Sequence, residues 1–263
     1  MTELAWERRS TGRGTSCRVL QGGDGPDLVF LHGADGLRAD DELLARLARS
    51  FRIHAPELPG FGESQGEELL EDMLDFTLHG WDMVDALGID RPLLIGHSMG
   101  GMIAAEMACI CPERPARLAL LAPAGLWLDS HPVADIFAKL PHELPALLFH
   151  DPAHAAALGA GFDMSDDQAL IAFFVDNARR LGTAGKILFP IPNRRLSKRL
   201  YRLRAPTLLV WGESDQVVPP VYAEAWRQLV PAAEVALVPE AGHLLTIEQA
   251  DQVAGLLEKF GAG

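Results

Sequence analysis

The sequence has few cysteines, and their positions argue against a disulfide framework. Only three occur in 263 residues, at Cys17, Cys109 and Cys111. Cys109 and Cys111 lie too close together on one predicted helix to form a bridge. Small secreted scaffolds instead carry a dense and usually even set of cysteines. We therefore expect a hydrophobic core to stabilise the fold, and 48% of the residues are hydrophobic.

Long apolar runs and an excess of basic residues are also missing. No stretch approaches the roughly 20 apolar residues that a membrane span requires. The formal net charge is -13, which disfavours nucleic acids and anionic membrane surfaces as partners. The opening residues, MTELAWERRS, are charged and contain no apolar segment. We therefore expect no signal peptide and a cytoplasmic location.

Short apolar runs alternate with amphipathic segments along most of the chain. The predicted strands are LVFLHG (28–33), FRIHAPEL (51–58), PLLIGHS (92–98), RLALLAP (117–123), PTLLVWGESD (206–215) and EVALVPE (234–240). The predicted helices are DELLARLARS (41–50), EELLEDMLDFTLHGWDMVDALG (67–88), MGGMIAAEMACI (99–110), PPVYAEAWRQLV (219–230) and IEQADQVAGLLEKF (247–260). This alternation predicts an α/β fold, a mostly parallel sheet with helices on both faces. Residues 5–10 and 15–22 resemble a leading antiparallel hairpin.

The alternation stops between about residues 124 and 200. That stretch is rich in Pro, Ala, Leu and Phe, and it contains three segments with helical patterns. These segments are PVADIFAKL (132–140), ELPALLFH (143–150) and DDQALIAFFVDNARRLG (166–182). We therefore predict a core made of residues 1–124 and 201–263, with a helical cap inserted at 125–200.

A serine stands between glycines where a predicted strand meets a predicted helix. Residues 96–100, Gly-His-Ser-Met-Gly, match the pattern G-x-S-x-G. The turn is so tight that larger flanking side chains would collide, and the glycines remove those collisions. It exposes the Ser98 hydroxyl at a helix N-terminus, where backbone N–H groups favour developing negative charge. Ser98 is therefore a candidate nucleophile.

Several further segments occur in the order typical of one superfamily. They are LVFLHG, ELPGFGES, LLIGHSMGG, LLVWGESDQVVP and PEAGHLLTIEQ. The sequence resembles the α/β-hydrolase superfamily in these segments, which span nearly the whole chain outside the predicted cap. It looks like the esterase, lactonase and non-haem perhydrolase branches. The resemblance implies a serine nucleophile and no metal or cofactor.

A serine hydroxyl is a weak nucleophile that needs a base, and the base needs an orienting carboxylate. The resemblance implies the chain order serine, acid, histidine. His243, in PEAGH, matches the base, and Asp215, after TLLVWG, matches the acid. Glu213 and Asp129 are weaker alternatives for the acid.

An oxyanion formed during acyl transfer needs two hydrogen-bond donors. The resemblance implies the backbone N–H of Met99, directly after the nucleophile, and that of Ala34, in the loop after LVFLHG. His97 is interpreted as a packing residue and His32 as a structural one. His150 and His154 have a spacing compatible with a metal, but no suitable third ligand is near, so we predict no metal site.

Apolar side chains of the predicted cap favour an apolar acyl or aromatic group in the substrate, although each of them is also explained by ordinary packing. The pocket candidates are Trp127, Phe137, Phe149, Phe162 and Leu244, with Leu126, Leu148 and Phe173 as further members. The basic cluster RRLSKRLYRLR (194–204) is interpreted as a solvated face, with binding of an anionic substrate as the alternative.

The sequence thus predicts an enzyme, a carboxylic ester hydrolase acting on a small molecule through an acyl-enzyme intermediate. One alternative is a carbon–carbon bond hydrolase of diketo acids, but that group usually has a tryptophan after the catalytic histidine, and here the residue is Leu244. Another is a ligand receptor on the same fold, without fast turnover. Thioester hydrolysis and perhydrolysis also stay open, and the oligomeric state is either monomer or homodimer.

Overall fold

A computed structural model describes residues 4–140, 142–155, 167–191 and 195–263. Its described residues form one eight-stranded sheet in the order β1-β2-β4-β3-β5-β6-β7-β8. The strands are β1 (Ala5–Ser10), β2 (Ser16–Gly22), β3 (Asp27–Leu31), β4 (Arg52–Pro56), β5 (Leu93–His97), β6 (Arg117–Leu121), β7 (Thr207–Gly212) and β8 (Glu234–Val238). The pairs β1–β2 and β2–β4 are antiparallel, and the other pairs are parallel. The predicted mostly parallel sheet and its leading hairpin are confirmed.

The central strands are buried along nearly their whole length because both faces of the sheet are covered. Every residue of β5 and β7 is buried, and so is every residue of β6 after the first. Continuous burial of this kind is typical of parallel strands between two helical layers. The edge strands β1 and β8 are more exposed.

The helices that surround the sheet are mostly those predicted. They are α1 (Glu42–Leu47), α2 (Met73–Ala86), α3 (Ser98–Ile110), α4 (Leu144–Leu148), α5 (Asp167–Leu188), α6 (Val221–Leu229), α7 (Leu245–Glu248) and α8 (Ala250–Ala262). Helix α3 contacts β5, β6 and α2, whereas α1 packs against α8. None of the helices within the described ranges is long and apolar enough to cross a membrane.

Several predicted helices begin or end at other residues in the structure. The helix predicted at 67–88 is a single 3₁₀ turn at Glu67–Leu69 followed by α2, because the Asp72 side chain caps a new start by accepting hydrogen bonds from the backbone of residues 74 and 75. The helix predicted at 247–260 is instead divided into α7 and α8, which meet at Gln249. Asp41 caps α1, which is shorter than the predicted 41–50.

The segment between β6 and β7 contains no strand in its described parts. The helix predicted at 132–140 is only a 3₁₀ turn, Ile136–Ala138, whereas the one predicted at 166–182 continues to Leu188 as α5. Helix α5 contacts α2 and α3, so it lies beside the helix that begins at Ser98. The division of the chain into a core and a separate cap stays a prediction.

Candidate active site

Strand β5 ends at His97 and helix α3 begins at Ser98, so the predicted strand–turn–helix junction is present. Ser98 has φ +52°, a left-handed backbone conformation that is strained for a residue with a side chain. A Cβ on Gly96 would lie 2.3 Å from the Gly100 carbonyl oxygen, and one on Gly100 would lie 2.1 Å from the Leu31 carbonyl oxygen. Only glycine fits at either position. The backbone of the turn therefore packs directly against the backbone of β3 and of α3.

Ser98, His243 and Asp215 form a continuous chain of hydrogen bonds. The distance from Ser98 Oγ to His243 Nε2 is 2.8 Å, and that from His243 Nδ1 to Asp215 Oδ2 is also 2.8 Å. Asp215 and His243 are 3% and 4% exposed. Asp215 follows β7 and His243 follows β8, so parallel strands bring both residues to the edge of the sheet where β5 delivers Ser98.

The two alternative acids lie away from the histidine. Asp129 is exposed and accepts a hydrogen bond from Trp127 Nε1 at 2.9 Å. Glu213 is exposed, and its backbone nitrogen donates to the Val238 carbonyl. The geometry therefore favours Asp215 over both.

Two further histidines support the site as neutral groups. His97 Nε2 donates a hydrogen bond to the His243 carbonyl oxygen at 2.9 Å, and burial lowers the pKa of His97. His32 Nδ1 donates to the Gly33 carbonyl, and its Nε2 accepts from the Leu58 backbone, while burial lowers its pKa also. The interpretation of His97 as a packing residue missed its bond to the main chain of His243, which nothing in its local sequence indicates.

The loop after β3 lies directly against Ser98. A Cβ on Gly33 would lie 3.4 Å from the Ser98 Cβ. The loop turns at Gly33–Gly36, where the Gly36 nitrogen donates to the Gly33 carbonyl at 3.2 Å. Ala34 is the second residue of this turn, and Met99 directly follows Ser98 in the first turn of α3. The two predicted donors therefore belong to segments that meet at the serine.

Glu248, in α7, joins the His243 loop to the segment that follows β6. Its side chain is 1% exposed, and its carboxylate accepts hydrogen bonds from the backbone nitrogens of Gly242 at 2.7 Å and of His150 and Asp151 at 3.0 Å each. Glu248 was not among the predicted site residues, although it follows His243 closely in the sequence. His150 and His154 belong to this arrangement, and the described residues contain no group of three or more metal-binding side chains.

The pocket candidates occupy different environments. Phe149 and Leu244 are buried, Phe137 packs against Phe189 with ring centres 4.9 Å apart, and Trp127 is half-buried. Leu126 is buried, Leu148 is half-buried and Phe173 is largely exposed, whereas Phe162 lies outside the described residues. A role for these side chains in substrate binding stays a prediction.

Three arginines of the basic cluster attach it to α3 and to the segment just after that helix, whereas Arg194 lies outside the described residues. Arg199 bonds the buried carboxylate of Glu106, and Arg202 donates to the Cys109 carbonyl at 2.6 Å. Arg204 pairs with Glu113 at 2.9 Å. These partners give the cluster a structural explanation that does not require an anionic substrate.

The fold and the Ser–His–Asp geometry are those of hydrolases that use a serine nucleophile. A model of the alpha/beta hydrolase family matches residues 28–256, and the chain belongs to that family.

Relatives of this chain carry several different names. A dihydrolipoyllysine-residue acetyltransferase component of an acetoin cleaving system from Cupriavidus necator is 30% identical over 260 residues, covering 92% of this chain and 65% of that protein. The chain thus spans less than two thirds of that relative. A 2-hydroxy-6-oxo-6-phenylhexa-2,4-dienoate hydrolase from Burkholderia cepacia is 30% identical over 251 residues, covering 87% and 85% of the two chains. Among solved structures, a bacterial membrane phospholipase A has a TM-score of 0.78 at 25% identity, covering 99% of this chain and 86% of that one.

Proposed function

We propose that this protein is a serine hydrolase that cleaves a carboxylic ester of a small molecule through an acyl-enzyme intermediate. The observation that carries the proposal is the unbroken chain of hydrogen bonds from Ser98 through His243 to Asp215. The Ser98 hydroxyl bonds the imidazole that would take its proton, and the same imidazole bonds the Asp215 carboxylate that would orient it. The strained backbone of Ser98 is a second support, because strain of this kind is concentrated at functional sites.

In the first half of the reaction, Ser98 Oγ attacks the ester carbonyl carbon while His243 Nε2 takes the hydroxyl proton. The carbonyl oxygen becomes an oxyanion, which accepts hydrogen bonds from the backbone N–H groups of Met99 and Ala34. His243 then gives the proton to the departing alcohol, and the acyl group remains on Ser98. Asp215 stabilises the imidazolium that forms in between.

In the second half, water attacks the acyl-enzyme and His243 takes a proton from it. The tetrahedral species collapses, Ser98 recovers its proton, and the carboxylic acid leaves. We propose an apolar acyl or aromatic group as the substrate's acyl part, since apolar side chains predominate in the segment between β6 and β7. A lipase from Psychrobacter immobilis, 25% identical over 254 residues that cover 90% of this chain and 77% of the lipase, supports this choice.

Carbon–carbon bond hydrolysis of a diketo acid is the second candidate. It is favoured by the 30% identity to the dienoate hydrolase of Burkholderia cepacia. Leu244 argues against it, because a tryptophan usually follows the catalytic histidine in that group. Because the two chemistries share a similar triad, the substrate distinguishes them.

The first test is the initial rate on p-nitrophenyl esters from acetate to laurate, for the wild type and for Ser98→Ala. We expect turnover by the wild type and a loss of about a thousandfold or more in the variant, because the hydroxyl that becomes acylated is gone. Ser130→Ala is the matched control, since Ser130 is exposed and bonds only its neighbour His131 among the contacts described. The chain-length optimum measures the acyl pocket.

Rates that equal the uncatalysed background for the wild type would contradict ester hydrolysis. Diketo acids are then the next substrates, and cleavage that depends on Ser98 would assign the carbon–carbon chemistry. Saturable ligand binding without turnover of either substrate class would instead support a receptor.

A further inference from the structure

We infer that Arg180 is a positioning residue for the oxyanion hole, although it lies on α5 and not on the sheet. It holds the turn that presents the Ala34 N–H to the reacting carbonyl oxygen. The inference rests on the proposed function, because it assigns a task to a residue beside the oxyanion site.

The Arg180 guanidinium connects α5 with the loop after β3. Its Nη1 donates a hydrogen bond to the Ala34 carbonyl oxygen at 2.6 Å. Its Nη2 donates to Asn177 Oδ1 at 2.6 Å, one turn earlier on the same helix. A charged donor forms a shorter and stronger bond than a neutral one, and the second bond restricts the rotation of the guanidinium plane. Arg180 is therefore held by its own helix as it reaches the turn.

The hydrogen bond that closes the turn leaves the Ala34 carbonyl to an external partner. The bond from the Gly36 nitrogen and that from His32 Nδ1 both end on the Gly33 carbonyl, so they fix the peptide plane that joins Gly33 to Ala34 and carries the Ala34 N–H. Closing a β-turn does not use the N–H or the C=O of its second residue, which here is Ala34. The bond from Arg180 fixes the next peptide plane at the Ala34 carbonyl, so the planes on both sides of the Ala34 Cα are held and the residue that presents the N–H stays in place.

The neighbouring Arg179 has a different task on the same helix. It donates to Glu67 at 2.5 Å and to the carbonyl oxygens of Gly62 and Ser64 at 2.8 and 2.5 Å. These bonds attach α5 to the loop before α2 and do not involve the turn at Ala34. Arg179 and Arg180 therefore form a matched pair, one that anchors the helix and one that reaches the oxyanion loop.

Loss of the Arg180 bond should affect the transition state more than the ground state, because the oxyanion exists only after attack. Removing an oxyanion-hole donor outright costs about a hundredfold or more, so a displaced donor should cost less. We expect Arg180→Ala to lower kcat about tenfold, with KM changed by about twofold or less. Affinity for an alkylboronic acid, whose tetrahedral adduct with Ser98 places an oxygen in the hole, should fall by a similar factor.

The experiment measures kcat, KM and boronic acid affinity for the wild type and three variants, on the best ester of the panel. Arg179→Ala should change kcat by about twofold or less. Arg180→Lys should keep a kcat between those of the wild type and Arg180→Ala, because the lysine ammonium replaces only one of the two hydrogen bonds of the guanidinium. Thermal midpoints place all assays below the unfolding transition.

Three results would overturn the inference while leaving ester hydrolysis intact. These are an unchanged kcat in Arg180→Ala, a raised KM at constant kcat, and an equal fall of kcat in Arg179→Ala. The second would assign Arg180 to substrate binding, and the third would trace the effect to attachment of the helix. Failure of the proposed function is a separate result: wild-type enzyme with no turnover that depends on Ser98, which would overturn both proposals together.

Discussion

The two carboxylate oxygens of Asp215 bind different partners. Oδ1 accepts hydrogen bonds from the backbone nitrogens of Val217 and Val218 at 2.8 and 2.9 Å, while Oδ2 accepts one from His243 Nδ1. A carboxylate has only acceptors to offer, so the imidazole proton stays on Nδ1. The lone pair on Nε2 is then free to accept the Ser98 proton.

Asp215→Asn should remove this control of the tautomer with little change to the loop. Its amide oxygen accepts the two backbone bonds, which turns the amide nitrogen, a donor, toward His243 Nδ1. The imidazole proton then moves to Nε2, where it faces Ser98 and prevents His243 from acting as a base. We expect kcat on the best ester to fall about a thousandfold or more, with a nearly constant thermal midpoint.

Asp129→Asn is the control for this change, because Asp129 is exposed and bonds Trp127 instead of the histidine. Its kcat should stay within about twofold of the wild-type value. A fall in Asp129→Asn as large as that in Asp215→Asn would place the acid after β6 and contradict the geometry.

At the level of whole elements, the junction of β5 and α3 depends on close backbone contact. Gly100→Ala would place a methyl group 2.1 Å from the Leu31 carbonyl oxygen, which belongs to β3 and cannot swing away. We expect the free energy of unfolding in urea to fall by about 3 kcal/mol. Gly255→Ala, in α8, is the matched control, because a Cβ there meets nothing within 4 Å. That variant should gain about 0.5–1 kcal/mol from helix propensity, and equal losses in the two variants would refute the steric explanation.

The elements that deliver the candidate triad were predictable because each leaves a local signal. Ser98, Asp215 and His243 each follow a short apolar run, and the carboxyl ends of parallel strands meet at one edge of a sheet. The bond from Arg180 to the Ala34 carbonyl and those from the His150 and Asp151 nitrogens to Glu248 join segments far apart in the chain, so no local pattern indicates them. Their partners are backbone atoms, which carry no residue identity that a sequence pattern could display.

The bounds of the helices were predicted less accurately than their existence, because a single side chain can decide where a helix begins. The apolar spacing across residues 67–88 suits a single helix, but the Asp72 side chain offers the backbone an alternative partner and restarts the helix at Met73. A capping side chain competes with helix continuation at a single residue, whereas the apolar pattern averages over several turns. The pattern therefore indicates that a helix exists and not where it begins.

For the molecule as a whole, stability toward acid depends on buried histidines as well as on the net charge of -13. His79 is fully buried, its Nδ1 has no hydrogen-bond partner in the described structure, and its Nε2 lies 3.6 Å from the Cys17 sulfur. Burial, with a smaller contribution from the charge of Arg13, lowers the pKa of His79 to about 4. In the unfolded chain its pKa is about 6.5, so the unfolded state binds more protons between these values.

Stability should therefore fall as the pH falls from about 6.5 to about 4, by up to about 3 kcal/mol from His79 alone. His79→Leu removes this titration while keeping an apolar side chain against Cys17, and His142→Leu, at an exposed histidine, is the control. Urea unfolding at pH 7, 6, 5 and about 4 gives the free energy of unfolding of each protein. Subtracting the wild-type value from that of each variant removes the contribution of the carboxylates, which all three proteins share. The wild type and His142→Leu should lose about 3 kcal/mol more than His79→Leu across this range. If the free energy of unfolding depends on pH in the same way in all three proteins, His79 binds a proton as readily in the folded state as in the unfolded state, which would contradict the prediction.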